Sequence, residues 1–168
     1  MPGEPLQLAQ WSSFFSITAE ASATLLGLLF VVITIAPARG RTLASKSRGY
    51  LTPAVLFLTS VLITSALLGI PNQTRRSAVI CICVSGSGGL FYSGSLAIMR
   101  GQSYEKFSHR YRYAVAPFIA YVVLFSGGIL LRRDSVGLDL VAAGMLALIN
   151  LAIRNTWSIA VSMVGSQE

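Results

Sequence analysis

Glu20 is the residue of this chain best placed to do chemistry. It is the only acidic residue well inside an uninterrupted apolar stretch, which runs from Trp11 to Pro37. Ser12, Ser16 and Thr24 stand at i−8, i−4 and i+4 from it, so a helix places all four on one face. Ala19, Ala23 and Gly27 make a strip of small residues directly beside them. An ionisable side chain at that depth in an apolar span is costly and is usually there for a function. Two readings follow. Glu20, with Ser16 and Thr24, is a proton- or cation-binding group on a permeation path, or it is a structural carboxyl hydrogen-bonded or ion-paired within a helix bundle.

Arg154 is the natural counter-charge, being the only basic residue outside the short polar links. Asn150, Arg154 and Trp157 follow at spacings of four and three, on one face of a helix. With opposite ends of the chain on opposite sides of a membrane, Glu20 and Arg154 are offset by roughly 10 Å, within reach of extended side chains or a bridging water. The alternative is that Arg154 snorkels to the nearer surface.

Other constellations carry less. Ser85, Gly89 and Ser93 form a small-xxx-small strip suited to close helix packing. The surrounding Ser85-Gly86-Ser87-Gly88-Gly89 run lacks the lysine and the strand-to-helix context of a phosphate loop, and a helix break exposing carbonyls to an ion is the alternative to packing. Cys81 and Cys83 point about 200° apart on a helix, which disfavours a disulfide, and no His, Asp or Glu lies nearby to complete a metal site. His109 is the only histidine, and no nucleophile, base and orienting acid stand together. No enzyme activity, metal or cofactor is expected. Lys106, Arg110 and Arg112, interleaved with Phe107, Tyr111 and Tyr113, suit an anionic lipid headgroup layer.

The elements that must position these residues are apolar. The 168 residues are 54% hydrophobic and 11% charged, with mean hydropathy +0.67. A soluble domain carries about 25% charged residues, so the polar surface for a water-soluble globule is missing. The net charge of +7 could suit nucleic acid, but the thirteen Lys and Arg are almost confined to short links, a pattern that membrane insertion explains.

Five stretches approach the ~20 apolar residues needed to cross a bilayer: about 11–37, 51–70, 77–99, 113–131 and 138–160. Their runs are continuous rather than alternating, which selects helices over barrel strands. The expected fold is an all-α membrane helix bundle forming one transmembrane domain. Thr52-Pro53 predicts the start of the second helix, with proline in its first turn. Glu4 and the absence of an N-terminal Lys or Arg argue against a cleaved signal peptide, so the first run is expected to remain as a span.

Links one and three carry eight basic residues (Arg39, Arg41, Lys46 and Arg48; Arg100, Lys106, Arg110 and Arg112). Links two and four carry four, Arg75, Arg76, Arg132 and Arg133. That bias predicts an external N-terminus and a cytoplasmic C-terminus. If the fifth stretch lay along the interface, four spans and an external C-terminus would result.

Three segments carry a resemblance. They are Phe14-Phe15 through Ala19-Glu20-Ala21-Ser22-Ala23 to Gly27-Leu28-Leu29-Phe30-Val31, Arg48 before a Leu-rich span ending Ile70-Pro71-Asn72-Gln73, and Arg154-Asn155-Thr156-Trp157. Together, over about half the chain, they resemble a poorly characterised group of small bacterial, mainly actinobacterial, membrane proteins. Where that group would carry small residues around position 20, this chain has Glu20. The resemblance implies a multi-pass protein of the bacterial inner membrane and no particular activity. The expected function is a subunit of a homo-oligomeric channel or transporter for an ion or small solute. A non-catalytic accessory protein binding another membrane protein or lipid is the alternative.

Overall fold

The computed structural model describes residues 8–35, 41–99 and 115–164, and the chain there is all-helical. Five helices follow one another: α1 (Leu8–Ile35), α2 (Arg41–Leu68), α3 (Arg75–Met99), α4 (Ala116–Leu130) and α5 (Val136–Val164). Three of them hold stretches long and apolar enough to cross a membrane, Gln10–Val32, Arg75–Ser95 and Val136–Trp157. The apolar parts of α2 and α4, Thr52–Leu68 and Ala116–Leu130, are shorter. At 1.5 Å per residue the 15 residues of α4 extend about 22 Å.

α2 does not begin at Thr52. It starts at Arg41 and carries Pro53, buried, in its interior. A proline in mid-helix removes one backbone hydrogen bond and costs about 3 kcal/mol, but it does not forbid helical turns on either side. Pro117, by contrast, does lie in the first turn of α4. The α2–α3 turn is closed by Asn72 at φ 58°, a left-handed conformation asparagine tolerates. Thr74 then caps α3, its Oγ1 accepting a hydrogen bond from the Ser77 N–H at 3.3 Å.

α2 is the centre of the bundle, packing on α1, α3 and α5, with its Ser60 reaching Tyr121 of α4. Successive helices run antiparallel. Along α3 and α4, Gly86 meets Phe125, Gly89 meets Tyr121, and Gly128 meets Ile82. Along α4 and α5, Gly127 meets Val141 and Gly144 meets Leu124. α5 contributes Leu138, Val141, Met145, Leu148 and Ala152 to the core, at alternating spacings of three and four. It packs against α4 and α2 through these residues, as a member of the bundle.

Among the described residues, hydroxyl pairs join α2 to α1, α3 and α4. Thr18 of α1 lies 2.9 Å from Ser65, Ser85 of α3 lies 2.6 Å from Thr64, and Tyr121 of α4 lies 2.9 Å from Ser60. Each is worth about 0.5–1.5 kcal/mol net, and each fixes the level of one helix against another. The sequence reading missed these rungs. Their one signal is three hydroxyl residues close together in an uncharged run. That signal is blurred because Ser60 and Thr64 also donate to the Leu56 and Ser60 carbonyls of their own helix.

Candidate functional site on the outer face of α1

α1 packs chiefly on α2, and only 22% of its most apolar stretch is buried, against 44% for α5. Its packed side holds Phe15, Thr18, Ser22 and Leu29, with Trp11 partly buried in line with them. At 3.6 residues per turn Glu20 falls opposite that line, and it is exposed. Ser16 and Thr24, one turn to either side, are exposed as well. The Thr24 hydroxyl donates to the Glu20 carbonyl at 2.8 Å, so its oxygen lone pairs remain available outward. Three oxygen-bearing side chains therefore stand in a row, about 6 Å apart along the axis, on the side of α1 turned away from its own bundle.

The two small-residue strips have different surroundings. Ser85 bonds Thr64, Gly89 lies under the Tyr121 ring and Ser93 is buried, so this strip lets α3 approach its neighbours. The helix is continuous through the whole Ser85–Ser95 run. On α1, Ala19 is half-buried while Ala23 and Gly27 are exposed, and a β-carbon added at Gly27 would meet nothing within 4 Å. That strip is open.

Asn150, Arg154 and Trp157 lie on the exposed side of α5, Trp157 at 70% exposure. The rungs give their depth. Thr18 is level with Ser65, Ser60 with Tyr121, and Leu124 with Gly144, which sets Glu20 level with about residue 144 of α5. Arg154 lies some ten residues, roughly 15 Å, further along. A direct pair within one chain would have to span that offset and also the gap between two helices that do not pack along one another. Lys106, Arg110 and Arg112 lie outside the described residues.

No family model, curated protein or solved structure matches the chain. The site therefore has to be read from its own chemistry. Among the described residues no cluster of three or more His, Cys, Asp and Glu could hold a metal ion. Cys81 and Cys83 are free thiols, and Cys81 receives a long contact from the Gln73 amide at 3.8 Å. What remains is the row on α1: one carboxyl flanked by two hydroxyls, able to bind a cation or relay a proton provided something shields it from lipid.

Proposed function

We propose that the chain is a multi-pass protein of the bacterial inner membrane, within the small actinobacterial group it resembles, and a subunit of an oligomeric channel or transporter for an ion or small solute. One observation carries this reading. The acidic residue embedded in the most N-terminal apolar helix faces away from the chain's own core, between two exposed hydroxyls. Facing hydrocarbon alone, that row would leave a carboxyl unsatisfied at a cost of several kcal/mol. A water-filled path or another protomer removes that cost.

The membrane part of the reading is supported by a broad apolar exterior. Ile80, Val84 and Phe91 of α3, Phe118 and Val122 of α4, and Leu146 and Ile153 of α5 are all exposed. Scattered exposed apolar residues are ordinary, but an exterior covered by them suits lipid. All five helices then cross, α2 and α4 through short apolar segments, with α5 as a full span. The N-terminus is external and the C-terminus cytoplasmic. The α2–α3 and α4–α5 turns are outside, and the segments around Ser45 and Ser103 inside, where Lys106, Arg110 and Arg112 meet anionic headgroups.

Single cysteines at Ser45, Thr74 and Ser103, in a background with Cys81 and Cys83 replaced by alanine, test the topology in intact cells. Only Thr74→Cys should react with an impermeant maleimide. Strong labelling of Ser45→Cys or Ser103→Cys would reject it. Function is tested by reconstituting the purified protein in liposomes and following proton and potassium flux. Vesicles no leakier than protein-free controls would favour the accessory-protein reading instead.

A further inference from the structure

We infer that the groove between α3 and α4, at the end of the bundle where the α2–α3 and α4–α5 turns lie, binds the headgroup of an anionic phospholipid. This rests on the membrane part of the reading above. It holds whichever way round the chain is inserted, and whether or not the chain conducts ions. Four arginines gather at that end. Arg75 and Arg76 open α3, and Arg132 and Arg133 lie in the turn that follows α4. The glycine contacts set their levels. With Gly89 beside Tyr121, Gly86 beside Phe125 and Gly128 beside Ile82, the antiparallel register puts Arg132 level with residue 78 and Arg76 level with residue 134. All four therefore lie within about 5 Å of one depth, on helices whose axes run about 8–10 Å apart.

Arg76 and Arg132 border the same side of the groove. On α3, Ser85 turns to α2 while Ile82, Gly86 and Gly89 turn to α4, and Arg76 falls beyond them on the outer flank, in line with exposed Ile80 and Phe91. On α4, Tyr121, Phe125 and Gly128 turn to α3, and Arg132 follows Gly128 by one turn, beside exposed Ile129, Val122 and Phe118. Ile80 and Ile129 lie about one turn below the arginines and level with each other, 62% and 50% exposed. The groove thus carries cations at its mouth and an uncovered apolar wall beneath them.

That charge is not met within the chain. The acids at this end are Asp134 and Asp139, two against four, and the Asp134 carboxylate accepts from the Ser135 hydroxyl at 3.3 Å. Among the described residues none of the four arginines is ion-paired. Arg75 and Arg76 also stand at the positive end of the α3 dipole, with no acid in that first turn. An anion seated there relieves both. The residue type points to phosphate: every cation at this end is arginine, whereas both lysines of the chain, Lys46 and Lys106, fall in the first and third links. A guanidinium fork gives two parallel hydrogen bonds to one phosphate, which an ammonium does not. The apolar wall makes the ligand an amphiphile, its phosphate between Arg76 and Arg132 and an acyl chain along Ile80 and Ile129. A soluble phosphate would use only the mouth.

Thermal unfolding in neutral detergent with added lipid tests the site. Phosphatidylglycerol should raise the midpoint of the parent above its value with phosphatidylcholine of the same acyl chains. Arg76→Gln with Arg132→Gln should lose most of that rise, its titration giving a dissociation constant at least about tenfold weaker. Both side chains are exposed, so the lipid-free midpoint should not move. Arg76→Lys with Arg132→Lys keeps the charge without the fork and should retain part of the rise. Lys46→Gln with Arg48→Gln removes two charges from the first link and should retain all of it. An equal rise with phosphatidylcholine, or with inorganic phosphate alone, would overturn the anionic-lipid site. So would a rise that survives the Arg76 and Arg132 glutamine pair or vanishes in the Lys46 and Arg48 pair. Uptake into vesicles separates this from the membrane reading. A protein that enters vesicles of neither lipid fails that reading and takes the site with it. One that enters both, yet shows no rise with phosphatidylglycerol, loses the site alone.

Discussion

Gly137→Ala should unfold the α4–α5 hairpin. A β-carbon at Gly137 would lie 2.6 Å from the Gly127 carbonyl oxygen and 2.6 Å from Leu131 Cα, with the Leu131 nitrogen closer still. All three are backbone atoms, so no side chain can swing aside. The reverse approach is as tight, since a β-carbon at Gly127 would lie 2.8 Å from the Gly137 carbonyl oxygen and 2.9 Å from the Val141 nitrogen. Overpacking a core usually costs about 1–3 kcal/mol, and a clash with immovable backbone belongs at the top of that range or beyond it. Such a loss is a large share of the ~5–15 kcal/mol that holds a typical domain. Thermal unfolding in detergent, followed by circular dichroism, should show a midpoint well below that of the parent or no cooperative transition. Gly27→Ala is the matched control: with nothing within 4 Å it should leave the midpoint unchanged. Equal midpoints for the two variants would mean that the hairpin is not packed this way.

The helices were legible in the sequence because continuous apolar runs of about twenty residues have few other solutions. Thr52-Pro53 did not mark a helix start, because proline is compatible with the first turn, where Pro117 lies in α4, but merely costly in the interior, where Pro53 lies in α2. Glu20, Ser16 and Thr24 share a face by periodicity alone, and the structure places them so. Which face was not legible. A helix whose composition is apolar all round gives no pattern saying which side meets α2, and here the packed side contains Thr18 and Ser22 while the acid points outward. Ser22 shows the difficulty sharply, since its Oγ is buried without a hydrogen-bond partner while the Ser16 side chain is exposed. The two small-residue strips read alike in sequence. They separate only once Tyr121 is seen over Gly89 and open space over Gly27.

Glu20→Gln should abolish most of the flux and leave the protein as stable as before. The substitution keeps the size of the side chain and its capacity for hydrogen bonds but removes the charge. Because Glu20 is exposed on the single chain, its replacement disturbs no core packing, and surface changes of this kind usually stay within about 0.5 kcal/mol. Cation flux in liposomes should fall at least about tenfold, the equivalent of about 1.4 kcal/mol in the barrier. Glu20→Asp, which shortens the side chain and keeps the charge, should retain an intermediate rate. Thr24→Val is nearly isosteric and removes the hydroxyl that donates to the Glu20 carbonyl at 2.8 Å, so it should lower flux less than Glu20→Gln does. The opposite pattern belongs to a structural carboxyl: flux preserved, with oligomer size or thermal midpoint reduced. If Glu20→Gln matched the parent in flux, midpoint and oligomer size together, the row on α1 would be an accident of composition. The transport reading would then lose the one residue on which it stands.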